Sequence, residues 1–197
     1  MEKKDLKPAG VFKYFEEICQ VPRPSKKEEK MIAYLKAFGA KHNLETKVDE
    51  AGNVLIKKPA TPGKENLQTV VLQSHIDMVC EKNNDVQHDF LTDPIETEID
   101  GEWLKAKGTT LGADNGIGVA TELAILADDS IEHGPLECLF TVDEETGLTG
   151  AFALKEGFMS GDILLNLDSE DEGEIFIGCA GGIDSVAEFT YKEVEVP

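Results

Sequence analysis

Short apolar runs alternate with amphipathic stretches along most of the chain, and this pattern predicts a mixture of strands and helices. Apolar residues recur at helical spacing over residues 7–20 and again after Ser25, so two amphipathic helices are expected near the start. Ser25 and Glu28 have the spacing of a capping box that opens the second helix. The apolar stripes are Val11, Phe12, Phe15 and Ile18 in the first helix and Met31, Ile32, Leu35 and Phe38 in the second.

The strands are predicted from two kinds of apolar pattern. Residues 45–49 and 54–58 have the pattern of two strands around a glycine-containing turn. Residues 70–75, 139–142 and 163–167 are short and largely apolar runs, which are typical of buried strands in a parallel sheet. These three runs are therefore expected to form the centre of the fold.

The remaining predicted elements complete the pattern of an α/β protein. They are a long polar loop over 80–100, a short strand over 101–105, a glycine-rich turn over 108–116 that opens a helix, a short helix over 149–156, and strands over 174–178 and 184–196. The order strand, helix, strand, helix, strand predicts βαβ units. We therefore expect an α/β fold with a mainly parallel sheet and flanking helices.

Each of the three central strands runs into side chains that commonly bind metals. The first ends at His75 and is followed by Asp77, the second is followed by Glu144 and Glu145, and the third is followed by Asp168. In open α/β sheets the working crevice lies outside the carboxyl ends of the strands. Imidazole together with carboxylates is a common environment for zinc, cobalt or manganese. The pattern therefore predicts a site for a divalent metal.

Taken singly, each of these residues has an ordinary structural interpretation, as a hydrogen-bonded pair, a solvated acid or a helix cap. Their joint placement favours a metal site, because concentrated carboxylates repel one another without a cation. Asp77 is placed to fix the orientation of the His75 imidazole. Of Glu144 and Glu145, one can bind metal while the other acts as a general base. Asp114, in the glycine-rich turn, is equally consistent with a residue that bridges two metals and with a helix N-cap.

Composition narrows the classes of partner. The chain has 197 residues and a formal net charge of -20, which argues against nucleic acid or an anionic membrane as a partner because both would repel it. The four cysteines form no C-x-x-C pair and do not suggest a disulfide framework. No apolar run has the length of a membrane span, and the start of the chain is unlike a signal peptide. A cytoplasmic protein is therefore expected.

The chain resembles the M20 family of metallopeptidases. The segments that carry the resemblance are 74–77, 112–116, 143–147 and 166–170. Within that family it is most similar to the bacterial aminoacyl-histidine dipeptidases. The segments typical of that group are 82–85, 88–90, 101–118, 133–137 and 178–182. The resemblance implies a zinc-peptidase-like catalytic domain that hydrolyses Xaa-His dipeptides.

The resemblance also implies a role for each matching residue. The implied ligands of two divalent metal ions, zinc with cobalt or manganese as alternatives, are His75, Asp114, Glu145 and Asp168. Asp114 would bridge the two ions, and Asp168 would share one of them with His75. Asp77 would support His75, and Glu144 would be the general base. The substrate would be a small dipeptide.

The sequence departs from the family pattern in its histidines. The family uses one further histidine ligand and a histidine from an inserted lid domain, and neither has a counterpart among the four histidines here. We therefore expect residues 1–197 to be the N-terminal portion of the catalytic domain, without the lid domain and the C-terminal catalytic segment. The chain alone is expected to bind metal weakly and to have little activity, and the full-length enzyme is expected to be a homodimer through the lid.

Two alternatives remain open from the sequence. Another reaction of the same family, such as that of an aminoacylase, a deacetylase or a tripeptidase, would need the same metal ligands. A non-catalytic metal-binding domain is the other alternative, although Glu144 argues against it because a pure binding site needs no general base.

Overall fold

The computed structural model describes residues 3–169, 171, 173–178, 181–183 and 185–192. In this part of the chain a short 3-10 helix, Lys3–Asp5, precedes the first α-helix. The α-helices are α1 (Ala9–Cys19), α2 (Glu29–Lys41), α3 (Ala113–Ala127) and α4 (Thr149–Ala153). The strands are β1 (Glu45–Val48), β2 (Val54–Lys58), β3 (Val70–His75), β4 (Thr97–Asp100), β5 (Trp103–Ala106), β6 (Leu136–Thr141) and β7 (Ile163–Asn166).

Five strands form the main sheet, in the order β1-β2-β6-β3-β7. Strands β6, β3 and β7 are parallel, whereas β1 and β2 form an antiparallel hairpin that joins β6 antiparallel. The predicted α/β class is therefore confirmed, with the qualification that the sheet is mixed. The predicted hairpin over 45–58 accounts for its antiparallel part.

The register of the parallel strands brings their carboxyl ends to one edge of the sheet. His75, the last residue of β3, is paired with Thr141, the last residue of β6. On the other side of β3, Gln73 is paired with Asn166, the last residue of β7. The residues that follow these strands therefore leave the sheet side by side.

Apolar residues cover both faces of the sheet. One face packs against α1, α2 and α3, in a core that includes Phe15, Leu35, Leu123 and Phe140. Alternate strand residues point to the opposite face, where Leu139 lies in a smaller cluster. Full burial of a side chain of this size contributes about 1.5–3 kcal/mol, so this core holds the carboxyl edge of the sheet in place.

Several predicted elements differ from those in the structure. The predicted capping box is wrong, because α2 begins only at Glu29 and has no side-chain cap. Strand β7 was expected to be buried, but it is an edge strand and all four of its residues are exposed. Residues 174–178 and 185–192 are not strands, and positions 184 and 193–196 lie outside the described residues. Strand β4 occupies the end of the predicted loop over 80–100, and α4 ends at Ala153, before the predicted 156.

Candidate metal centre

His75 is the centre of the candidate site. Its ring is almost fully buried at the carboxyl end of β3, and its Nδ1 lies 3.2 Å from Asp77 Oδ1. Its Nε2 lies 3.0 Å from Asp114 Oδ1, 3.8 Å from Asp168 Oδ2 and 3.9 Å from Glu144 Oε2. One imidazole nitrogen therefore faces three carboxylates from three different segments.

Two groups of potential ligand atoms converge at this place. Their members are His75 with Asp114 and Asp168, and His75 with Glu144 and Glu145, and the ligand atoms of each group lie within 4.8 Å of one another. Nitrogen from imidazole and oxygen from carboxylates suit zinc, cobalt and manganese. The residues present therefore fit a divalent metal.

The charges of this cluster act on His75 and Asp77. Burial by itself lowers the pKa of His75, but the hydrogen bond to Asp77 and the charge of Asp168 outweigh it and raise this pKa to about 9. Burial by itself raises the pKa of Asp77, but hydrogen bonds from His75, a backbone N–H and a serine hydroxyl lower this pKa to about 2. At neutral pH a metal must therefore displace a proton from His75.

The turn that carries Glu144 and Glu145 is held by its own backbone. Four consecutive N–H groups, at positions 142–145, donate in order to Asn53 Oδ1, Glu28 Oε1, Asp77 Oδ1 and Asp77 Oδ2, at 3.0–3.2 Å. Asp77 thus fixes both the imidazole and the neighbouring acidic turn. The three buried carboxylates of Glu28, Asp77 and Asp143 also lie together, with several of their oxygens occupied by backbone N–H and hydroxyl donors.

Glu144 and Glu145 have different surroundings. Burial raises the pKa of Glu144, and the charge of Asp168 raises it further against the opposing effect of His75. Burial and Asp114 raise the pKa of Glu145. A cavity of about 210 Å³ opens between Glu144 and Asp168, whereas larger cavities, of about 260, 480 and 920 Å³, are lined by other parts of the chain. Glu144 therefore borders this cavity and also faces the imidazole of His75.

Asp114 lies within the irregular first turn of α3. Its backbone is extended rather than helical, and its carboxylate contacts His75. The capping contact is made instead by Asn115, whose Oδ1 accepts a hydrogen bond from Gly118 N at 3.2 Å. Of the two interpretations of Asp114 from the sequence, the structure therefore excludes the N-cap.

A family model matches the part of the chain that contains these residues. Residues 71–193 match the model described as Peptidase family M20/M25/M40. The chain belongs to this family. The match contains every residue of the candidate metal centre, so the family resemblance inferred from the sequence motifs is confirmed.

Individual family members are also similar to the chain. It is 51% identical, over 196 residues, to the cytosol non-specific dipeptidase of Escherichia coli, and the alignment covers 100% of the chain and 40% of that protein. It matches the crystal structure of aminoacylhistidine dipeptidase from Vibrio alginolyticus with a TM-score of 0.85 and 56% identity, covering 88% of the chain and 35% of that structure. For the aminopeptidase PepT of Bacillus cereus the TM-score is 0.70 at 26% identity, with 82% and 43% covered. The chain thus spans less than half the length of these M20 relatives.

The other histidines and the cysteines lie elsewhere in the M20 fold. The rings of His42 and His88 pack against Phe38 and Phe90, and His133 Nδ1 lies 2.7 Å from the carbonyl of Gly134. Cys138 is fully buried, and Cys19, Cys80 and Cys138 are free, whereas Cys179 lies outside the described residues. In the described part of the chain no helix is both long and apolar enough to cross a membrane.

Sequence reasoning missed four residues around the centre. Ser25 Oγ donates a hydrogen bond to Asp77 Oδ2 at 2.8 Å, and Glu28 Oε1 accepts one from Asp143 N at 3.0 Å. Both residues of the predicted capping box therefore form hydrogen bonds with residues around the site instead. Asn53 was assigned only to a turn, although it is fully buried. The fourth residue is Arg23, which is buried behind the site, and its signal in the sequence is that it is the chain's one arginine.

Proposed function

We propose that this chain supplies metal ligands and the general base of a zinc-dependent dipeptidase. The observation that carries the proposal is the convergence of Asp114, Glu144 and Asp168 on His75 Nε2, within 3.9 Å. Membership of the M20 family and the dipeptidase names of two relatives support it. Because the chain spans 40% of the E. coli relative, the activity proposed is that of the whole protein.

The proposed ligands are His75, Asp114, Glu145 and Asp168, with Asp77 orienting the imidazole. When bound, two divalent ions would polarise the peptide carbonyl and favour the ionisation of water. Zinc is proposed, since an imidazole and carboxylates without cysteine are typical of catalytic zinc sites. The raised pKa of His75 implies that zinc affinity increases with pH up to about 9.

Glu144 is the proposed general base. Its side chain is partly exposed, lines a cavity and lies 3.9 Å from His75 Nε2, so an attacking water can reach its carboxylate. Glu144 would take a proton from that water as the oxygen–carbon bond forms, and would give it to the amine as the carbon–nitrogen bond breaks. Its raised pKa makes it a stronger base for the first transfer and still an acid for the second.

Dipeptides with C-terminal histidine are the proposed preferred substrates. The name of the Vibrio relative supports this preference, whereas the name of the E. coli relative indicates broader action on dipeptides. An aminoacylase, deacetylase or tripeptidase remains an alternative within the family. A panel of Ala-His, Ala-Leu, Ala-Ala-Ala and N-acetyl-alanine separates these classes by which bond is cleaved fastest.

We also propose that residues 1–197 work as the N-terminal part of a larger catalytic unit. The support is the ligand inventory, because the three other histidines are packed elsewhere and the site contains one imidazole. A lid, homodimerisation through it and a cytoplasmic location stay predictions. Robust hydrolysis of Ala-His by the 197-residue chain alone would contradict the proposal that residues 1–197 need a larger catalytic unit.

The general-base role is tested in a chimera of residues 1–197 with the remaining part of the E. coli relative. We expect Glu144→Gln to lower kcat/KM for Ala-Leu by about 10²–10⁴-fold, because proton transfer by a positioned base contributes that much. Zinc content should remain at the wild-type value. Glu156→Gln, at an exposed glutamate, is the control and should leave kcat/KM unchanged. Wild-type turnover in Glu144→Gln would eliminate the proposed base.

A further inference from the structure

Arg23 is the one arginine of the chain, since the other 18 of its 19 basic residues are lysines. It lies directly behind the candidate metal centre and is only 2% exposed. Among the described residues no carboxylate lies within ion-pair distance of its guanidinium, although burial of an unpaired charge is costly. The other contacts of the guanidinium must therefore account for its position.

Within the described part of the chain, the guanidinium donates three hydrogen bonds, all to backbone carbonyls. Nη1 donates to Ile76 O at 3.1 Å and to Asp77 O at 3.0 Å. Nη2 donates to Gly112 O at 2.5 Å. The first two acceptors immediately follow His75, and the third lies two residues before Asp114. The Arg23 side chain therefore joins the segment that carries His75 to the segment that carries Asp114.

The glycine-rich turn makes room for this side chain. A Cβ atom at Gly112 would lie 2.5 Å from Arg23 Nη2, and one at Gly116 would lie 2.7 Å from the same atom. Gly112 also has a φ of +68°, which a residue with a side chain rarely adopts. Both glycines therefore fit the approach of the guanidinium.

The charge of Arg23 also suits its place. Asp77 and Asp114 are among the charges that act on its guanidinium, and both belong to the cluster around His75. A cation on the protein side of this cluster reduces the repulsion between carboxylates before any metal is bound. Lysine could supply the charge, but its single ammonium group lacks the planar fork that reaches two separate segments.

We propose that Arg23 is a positioning residue of the metal centre, which holds the His75 and Asp114 segments together so that their ligand atoms face one point. Among the described residues, the guanidinium forms no hydrogen bond with the side chain of His75 or Asp114. It therefore acts through the backbone of the segments that carry these two residues. This proposal rests on the proposed function, because it assumes that His75 and Asp114 bind metal.

The test measures zinc affinity by calorimetry, and the visible spectrum of bound Co²⁺, in the chimera of residues 1–197 with the remaining part of the E. coli relative. We expect Arg23→Lys to weaken zinc binding at least tenfold and to alter the Co²⁺ spectrum, while a cooperative thermal transition remains. Arg23→Met should weaken binding further, because it removes the charge as well as the fork. Kinetic data are not needed for either readout.

Lys58→Met is the matched control. Lys58 is also buried and also donates to two backbone carbonyls, those of Ile125 and Asp128, but it joins β2 to the far end of α3. The Lys58→Met variant should have a lower free energy of unfolding than the wild type, and its zinc affinity should stay within about twofold of the wild-type value. A loss of affinity in Lys58→Met equal to that in the Arg23 variants would assign Arg23 a general structural role and overturn the proposal.

The remaining outcomes are also decisive. Wild-type zinc affinity in a folded Arg23→Lys or Arg23→Met variant would overturn the proposal and leave the proposed function intact. Absence of zinc binding by the chimera with an unaltered Arg23 would overturn both. If neither Arg23 variant folds, the Gly116→Ala variant tests the proposal, because it keeps Arg23 but its new Cβ would crowd the guanidinium. Unchanged zinc affinity in Gly116→Ala would again overturn the proposal.

Discussion

Glu122 is a carboxyl group without contact with solvent. It lies on α3 and is 0% exposed, and its Oε1 accepts a hydrogen bond from Ser74 Oγ at 2.6 Å. Its Oε2 has no hydrogen-bond partner among the described residues. Burial raises the pKa of Glu122 well above its ordinary value, against the opposing hydrogen bonds from Ser74 and Cys138. The group is therefore neutral in the folded chain over a pH range in which it ionises when unfolded.

This difference predicts how Glu122→Gln changes stability with pH. A raised folded pKa favours folding at low pH, and that contribution is lost as pH rises above about 4.3, the pKa of an unfolded glutamate. Glutamine keeps the shape and does not titrate. We expect the free energy of unfolding of Glu122→Gln, relative to the wild type, to increase as the pH rises above about 5.5, by up to about 1.4 kcal/mol per pH unit. Urea unfolding at several pH values measures it.

Glu137→Gln is the control for this measurement. Glu137 is also buried, but its hydrogen bonds with Lys57 and Ser160 outweigh the effect of burial and lower its pKa. It is therefore ionised in both states across the same range, and its variant should differ from the wild type by a constant amount. A constant difference for Glu122→Gln as well would show that Glu122 is ionised in the folded chain.

At the scale of elements, the start of α3 is a tightly packed junction behind the site. A Cβ at Gly116 would lie 2.7 Å from Arg23 Nη2, 3.2 Å from Phe15 and 3.3 Å from Ile18. Helix α1, the Arg23 segment and α3 therefore meet without free space. The position of Asp114 depends on this junction, because it lies two residues before Gly116.

Gly116→Ala tests this junction against a glycine with room around it. We expect Gly116→Ala to lower the free energy of unfolding by about 1–3 kcal/mol, because overpacking displaces well-packed neighbours. Gly10→Ala on α1 is the control, since its Cβ would meet only Ala124 Cβ at an ordinary 3.5 Å. It should be neutral or raise stability by about 0.5–1 kcal/mol, since alanine is the better helix former. Equal effects of the two changes would contradict the packing argument.

At the scale of the whole molecule, the dominant property is the charge. The chain carries 39 acidic and 19 basic residues, and several of the acidic ones are concentrated at one edge of the sheet. Self-repulsion of a large net charge favours expansion of the chain. Bound divalent metal and dissolved salt should both reduce that repulsion.

We expect NaCl to stabilise the chain as it screens this repulsion. The Debye length falls from about 30 Å at 0.01 M to about 8 Å at 0.15 M, which removes most long-range repulsion between exposed carboxylates. The midpoint of urea unfolding should move to higher urea over this range, and 0.3 M sucrose at low salt is a control for effects that do not involve charge. A midpoint that falls with salt would show that attractive ion pairs outweigh the net charge.

The local pattern of the sequence was sufficient for much of the fold and for most of the candidate site. Helix and strand periodicities predicted α1, the β1–β2 hairpin and the three parallel strands, because each pattern reports which side chains of one segment share a buried face. The convergence of His75, Glu144 and Asp168 followed from a general rule on the carboxyl ends of parallel strands, whereas for Asp114 the local sequence left a metal ligand and an N-cap equally open. The metal-binding roles of these residues stay predictions.

The tertiary structure alone decided the partners of polar groups. Ser25 and Glu28 fit a capping box by spacing, yet both bind groups of the site, more than 50 positions away in the chain. The role of Arg23 likewise depends on carbonyls 53 to 89 positions away. The exposure of β7 depends on its place at the edge of the sheet. The sequence by itself determined which chemical groups the chain can bring together, because that depends on local periodicity, whereas only the fold decided which donor meets which acceptor, because that depends on proximity between distant segments.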